Sequence, residues 1–217
     1  MAEVDAEPGQ RAEELVPAAM SLLDVRPDLV PPSMDLRDEL AFAYEEYTRD
    51  VSPDNMAVSL LTATYLLFLC RSRNARRVAD FGSGFTSYVL ARYASETEKV
   101  TVTSVDDSEE WLGKTKTFIE ARGLRSNLTM WDDYKEADIH HDVACYDLGK
   151  GDVREAGMEL VARRTRPGGV VLFDDAMHYS HRVAMERVAE KFRWDLYFLQ
   201  DDTTDYYGRF AALLVRP

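Results

Sequence analysis

Cysteine is nearly missing from this chain. Only Cys70 and Cys145 occur, each inside an apolar run, and the pair has neither the spacing of a zinc site nor the density of a disulfide framework. Both are expected to be buried thiols, which suits a reducing compartment. Positive charge is also short, with 26 Lys and Arg against 39 Asp and Glu and a net charge of -13. Binding to phosphate backbones needs a basic surface that releases counterions, so nucleic acid and anionic membranes are excluded as expected partners. No apolar run is long enough to cross a bilayer. The most apolar stretch, Met56 to Cys70, carries Ser59, Thr62 and Thr64 and reads as a buried helix. The acidic amino terminus lacks the positive-then-apolar pattern of an export signal, so the cytoplasm is the expected location. What is present suits a folded domain: 217 residues, 46% hydrophobic, allow a sizeable core.

Residues 1–32 are rich in Ala, Glu and Pro, have an apolar cluster at Leu15, Val16, Leu22 and Leu23, and end in Pro31-Pro32. They read as an appendage or lid. From Ser33, a candidate N-cap, the spacing of Leu36, Leu40, Tyr44 and Tyr47 puts apolar groups on one helical face. A second helix is expected after Ser52-Pro53, through Met56 to Leu69. Residues 1–51 are therefore expected to form a helical appendage and residues 52–217 the main domain.

Beyond that point strands and helices alternate. Strands are predicted at Arg77 to Phe81, Val100 to Val105, Leu128 to Trp131, Asp142 to Asp147 and Gly169 to Asp174. Helices are predicted at Thr86 to Ala94, Ser108 to Arg122, Asp152 to Arg164 and Ser180 to Arg193. Such alternation implies a parallel sheet covered on both faces. Two last strands, Asp195 to Gln200 and Phe210 to Val215, have no helix predicted between them and read as a hairpin. The expected fold is thus α/β: a doubly wound, mostly parallel, seven-stranded Rossmann-like sheet with a C-terminal antiparallel hairpin.

The stretch VADFGSGFTS, Val78 to Ser87, turns the first strand into a helix through Gly82 and Gly84. Glycines at such a turn let backbone approach a ligand closely, at the carboxyl end of a strand where open α/β sheets bind ligands. The second strand ends in Asp106-Asp107, at the distance downstream where nucleotide-binding folds place an acid for ribose hydroxyls. Asp106 is the expected ribose ligand. Asp107 is a second candidate, and with Glu110 it also has the spacing of a capping box.

The order VADFGSG, VTSVDD, DVACYD and RPGGVVLFDD, followed by the hairpin, resembles class I S-adenosylmethionine-dependent methyltransferases over Ser52 to Pro217. The resemblance implies that Asp80, Gly82, Ser83 and Gly84 lie near the methionine part of S-adenosylmethionine and that Asp106 binds the ribose. It points to Asp132 or Asp133 near the adenine, with Trp131 as a stacking surface. A nicotinamide dehydrogenase also uses a glycine loop and a second-strand acid. Three features speak against it: Ser87 where a third glycine would stand, Asp80 inside the first strand, and the helix-free hairpin. A cofactor-binding protein without transfer chemistry is the other alternative.

Asp147 ends the fourth strand, and Asp174 and Asp175 end the fifth. Three carboxylates meeting there make a reasonable Mg²⁺ site, since hard cations take carboxylate oxygens. The arrangement resembles catechol-type, metal-dependent O-methyltransferases, which also implies Lys150 as the base in Asp147-x-x-Lys150. Here the last pair is Asp174-Asp175 rather than Asp-Asn. Asp147 is also a candidate cofactor contact. His178 is the other candidate base because imidazole titrates near neutral pH. His181 is a weaker one, and His140 and His141 are expected to be exposed. Tyr44, Tyr47, Met56, Met177 and Tyr179 are candidates to line an acceptor pocket. The expected partners are a small-molecule acceptor, of secondary metabolism by preference, and a second copy of the chain as a homodimer.

Overall fold

The computed structural model describes residues 26–29, 35–125, 127–149 and 152–217. The apolar cluster at Leu15 to Leu23, the Ser33 cap and Lys150 all fall outside the described residues.

Arg77–Phe81 forms β1 because Val78, Ala79, Asp80 and Phe81 are all buried, as a central strand covered on both faces requires. The other strands are β2 Thr101–Asp106, β3 Leu128–Met130, β4 His141–Tyr146, β5 Thr165–Phe173, β6 Asp195–Phe198 and β7 Ala212–Val215. They lie in the order β3-β2-β1-β4-β5-β7-β6. β1 pairs in parallel with both β2 and β4, and β7 runs antiparallel to β5 and β6. The order reverses direction between β1 and β4, the kind of switch point at whose carboxyl ends open α/β sheets bind ligands.

The helices are α1 Asp35–Asp50, α2 Leu60–Ser72, α3 Phe85–Glu96, α4 Glu109–Glu120, α5 Trp131–Glu136, α6 Asp152–Arg164, α7 Tyr179–Phe192 and α8 Gln200–Thr203. Strand periodicity sorts the core into two layers. Val78, Val143, Cys145, Leu172 and Leu213 pack against α1 to α4 through Leu40, Leu66, Phe85, Leu90 and Phe118. Ala79, Phe81, Tyr146, Phe173 and Leu214 pack against α5 to α7 through Tyr134, Met158, Val161 and Met185. Leu40, Ala43 and Tyr47 of α1 share the first layer with the sheet, so this helix is fastened to the main body. Cys70 and Cys145 are buried and unbridged, and burial pushes both thiols up, which leaves them poor nucleophiles.

Several expected boundaries move for local reasons. The second helix starts at Leu60, not near Met56, because Ser59 caps it by accepting from the Thr62 N–H at 3.0 Å. Ser108, not Asp107, caps α4, since its hydroxyl accepts from the Trp111 N–H. Trp131 leaves β3 and opens α5. The terminal pairing is antiparallel as expected, but one helical turn, α8, stands between β6 and β7. The Thr203 hydroxyl donates to the Leu199 carbonyl and accepts from the Ala211 N–H, which closes that turn. His141 is buried rather than exposed, packed on Phe81 with Nε2 3.0 Å from the Thr165 hydroxyl. Among the described residues no helix is long and apolar enough to cross a membrane.

Leu213 is fully buried on β7, between β5 and β6. Leu213→Ala should lower the unfolding free energy by about 2–5 kcal/mol in urea titrations, and a loss below about 1 kcal/mol would show that β7 contributes little to this core.

Candidate functional site

The site is built on the seam between β1 and β4. The Asp147 N–H donates to the Phe81 carbonyl at 2.6 Å, and the Gly82 N–H donates to the Val105 carbonyl at 2.9 Å. Gly82 has φ +98°, and a Cβ added there would lie 2.6 Å from the Asp147 carbonyl oxygen. Only glycine satisfies both conditions.

The next residues bind the acids beneath them. The Ser83 N–H and hydroxyl both donate to Asp106 Oδ2, at 2.6 and 2.8 Å, while Asp106 Oδ1 accepts from the Ser108 N–H at 2.9 Å. The Ser87 hydroxyl donates to Asp80 Oδ2 at 2.5 Å and accepts from the Gly84 N–H at 3.3 Å. The residue at the missing third glycine thus fastens the first turn of α3 to the buried acid of β1. Asp80 Oδ1 has no hydrogen-bond partner. Burial pushes the Asp80 carboxyl up to about 7, against the bond from Ser87 and with Asp106 and Asp147 adding repulsion. Burial also raises Asp106, opposed by its bonds to Ser83 and Ser108.

Tyr47, expected at the acceptor pocket, instead covers the loop. Its hydroxyl is 3.1 Å from where a Gly84 Cβ would be, and its ring packs against Phe85 and Phe118. Trp131 is committed to the core between Phe81 and Tyr134, so it offers no open stacking face. Asp132 lies on the surface, paired with Lys135, and Asp107 and Asp133 are exposed.

Asp147 and the Asp174-Asp175 pair lie at neighbouring strand ends, because β4 and β5 pair in register from Val143↔Val170 to Tyr146↔Phe173. Between them lies a group that the sequence reading missed. Arg154 Nη2 is 2.5 Å from Asp147 Oδ1 and 3.3 Å from Asp175 Oδ2, and its side chain is only 7% exposed. The signal available in the sequence was an arginine at the start of the helix that follows Asp147. Asp175 has φ +58°, a sparsely populated conformation for a side-chain-bearing residue. Burial raises Asp174 well above the ordinary carboxylate range, and Asp147 and Asp175 add to the rise. Burial works against the Arg154 charge, but the three acids hold its proton more firmly than usual.

This donor set does not fit a divalent cation. Asp147 and Asp175 are already bridged by a guanidinium, and among the described residues no three His, Cys, Asp or Glu side chains are grouped to hold a metal. A divalent ion about 4 Å from that guanidinium would be repelled by roughly 8 kcal/mol at an effective dielectric constant of about 20. The glycine loop does fit an adenosyl amino acid, with a free oxygen on Asp80 and spare lone pairs on Asp106. His178 is exposed at the start of α7, edge-on to His181 at 5.1 Å, and Tyr179 beside it is 75% exposed. Met56 is exposed, whereas Tyr44 and Met177 are half-buried. Burial, with Arg154 nearby, lowers the His181 imidazole.

No family model matches the chain, and no curated protein matches it in sequence. Solved structures do match. The O-methyltransferase TomG from Streptomyces achromogenes, involved in tomaymycin synthesis and solved with SAM, is 20% identical over 84% of this chain and 90% of that one, with a TM-score of 0.62. An O-methyltransferase from Bacillus cereus, solved with SAH, is 20% identical over 90% of this chain and 95% of that one, with a TM-score of 0.58. The 16S rRNA N2 G1207 methyltransferase RsmC of T. thermophilus is 18% identical over 72% of this chain and 43% of that one, with a TM-score of 0.54. The chain therefore has the Rossmann-like α/β fold of methyltransferases.

Two outcomes follow from the loop. Gly82→Ala should cost about 1–3 kcal/mol from backbone strain alone, with the contact to Asp147 adding to it, read as a lowered melting temperature. Asp80 carries a carboxyl near 7 in the folded chain against 3.8 as its ordinary value. Between those values the folded state holds more protons than the unfolded state, so this group's stabilisation is complete at the acid end and is lost as pH rises to 7. Asp80→Asn should flatten that decline in urea midpoints measured from about pH 4 to about pH 8, and an unchanged profile would exclude Asp80 as its source.

Proposed function

We propose that this chain is an S-adenosylmethionine-dependent methyltransferase that methylates an oxygen of a small molecule. The observation that carries the reading is the loop from Gly82 to Gly84 at the strand-order switch point, with Asp80 and Asp106 beneath it. When bound, the cofactor supplies an electrophilic methyl on a sulfonium. Asp80 Oδ1, now unpartnered, would receive the methionine ammonium. Asp106 would keep its bonds to Ser83 and use its remaining lone pairs for the ribose hydroxyls. The α3 N-terminus begins at Phe85 and adds unpaired N–H groups at the same place.

The sheet order also supports the class. The strand order places antiparallel β7 inside the sheet, where the dinucleotide-binding order continues in parallel as 3-2-1-4-5-6. The fold itself leaves the acceptor open, since proteins named for tomaymycin synthesis and for rRNA both carry it. A net charge of -13 disfavours RNA, and a diffusible small molecule in the cytoplasm suits it better. Lys150 and His178 are the proposed bases, and residues 1–51 are proposed as a cover over the site, with α1 already fixed by Tyr47 above Gly84. Magnesium is not part of this reading, because Arg154 bridges its expected ligands.

Calorimetric titration with S-adenosylhomocysteine tests the loop. Binding should be 1:1, Asp106→Ala should weaken it by about 1.5–3 kcal/mol, and a parent that does not bind overturns the reading. An ammonium beside Asp80 favours the ionised carboxylate, so affinity should rise with pH toward 7 and level off above it. Asp80→Asn should remove that rise. With an acceptor in hand, loss of the true base among Lys150→Ala and His178→Ala should slow turnover roughly 10²–10⁴-fold while cofactor affinity holds. Near-parent turnover in the double variant would exclude both.

A further inference from the structure

The acidic cluster at the ends of β4 and β5 contains its own cation. Asp147, Asp174 and Asp175 are brought to one level by the parallel register of the two strands. Arg154 enters from the start of α6, and its guanidinium pairs with Asp147 Oδ1 at 2.5 Å and Asp175 Oδ2 at 3.3 Å, with the Asp174 carbonyl at 3.5 Å. The backbone is built to hold it there, because the Tyr146 hydroxyl donates to the Arg154 carbonyl at 2.8 Å. That hydroxyl also fills the space beside Gly157 one turn along the helix, where an added Cβ would lie 2.0 Å from it. Arg154 is therefore fixed from both ends, by its side chain and by its main chain.

Asp147 and Asp175 share one guanidinium, which offsets one of their two charges and occupies an oxygen of each. Resting on the proposed methyltransferase reading, we infer that Arg154 takes the place of a divalent metal in this chain and that the site works without one. The guanidinium is a positioning group: it holds Asp147 and Asp175 together at the ends of β4 and β5 and offsets part of their charge. An ammonium at the same point keeps that charge; a neutral side chain releases two carboxylates that then have no cation.

Mn²⁺ is the probe, because it takes carboxylate ligands and its free form is read directly by electron paramagnetic resonance. The full-length parent and Arg154→Lys should show no saturable one-site binding at millimolar Mn²⁺. Arg154→Ala and Arg154→Gln should each gain one site, with affinity raised roughly tenfold or more, as expected when carboxylates become free for a hard cation. Adding Asp147→Asn to either should abolish the gain. Circular dichroism identifies any variant that does not fold, and Gln keeps the proposal testable if Ala fails. One site in the parent that is lost in Asp147→Asn overturns the inference. So does a folded Ala or Gln variant that binds no better than the parent. S-adenosylhomocysteine titration of the same samples reports on the glycine loop separately, so failure of the broader reading is distinguishable from failure of this one.

Discussion

The close passage of Gly82 over the carbonyl of Asp147 is the contact on which the rest of the site depends. It brings the ends of β1 and β4 to 2.6 Å of an added Cβ, which requires a residue without a side chain and at positive φ. Because β1 is held on its other side by β2, the same contact fixes Asp106 relative to the loop, and Ser83 completes the connection with two bonds to one oxygen. β4 carries the geometry outward to Asp147, and register with β5 carries it on to Asp174. Asp106, Asp147 and Asp174, at the ends of β2, β4 and β5, are thus placed by one backbone approach.

Concentrating acids in a buried crevice is costly, and the structure offsets the charge in three different ways. Asp106 is satisfied by backbone and hydroxyl donors. Asp80 has one donor and one free oxygen, so part of its charge is relieved by proton uptake near neutrality. Asp147 and Asp175 have a guanidinium. The ordering has physical sense, since donors fixed in the backbone suit an acid with a permanent role, whereas an acid left half-satisfied is ready for a ligand cation.

Much of this was legible in the sequence. Alternating apolar runs gave β1 to β5 and their helices within a few residues, because burial on both faces leaves a compositional trace at Val78 to Phe81 and Val170 to Phe173. Asp106 was legible from its distance to the glycines. The placing of Asp147 and the Asp174-Asp175 pair at neighbouring strand ends was legible as well. What was hidden depends on side-chain reach. Arg154 lies on a helix whose face periodicity says only that it turns inward, not that it meets two carboxylates. Tyr47 sits on a helix far upstream, and only packing against Phe85 and Phe118 brings it over Gly84. Trp131 read as an open ring at a strand end, but one extra helical turn, α5, rotated it into the core. The cap expected at Asp107 moved to Ser108 because Ser and Asp compete for the same role at neighbouring positions.

The electrostatics of methyl transfer give the bridging arginine a reason to be there. A sulfonium loses its positive charge as the methyl leaves, so carboxylates left bare beside it would stabilise the reactant more than the transition state and slow the step. Asp147 stands one strand over from the glycine loop, close enough to raise the Asp80 carboxyl. With its charge shared with Arg154, and with Asp174 held toward neutral, the crevice retains its strongest negative field around Asp80 and Asp106, where a methionine ammonium and ribose hydroxyls would be bound in reactant and product alike. On the proposed reading, binding charge and reacting charge would thereby be separated along the sheet, with Asp80 and Asp106 beneath the loop and the arginine-paired Asp147 and Asp175 beyond it.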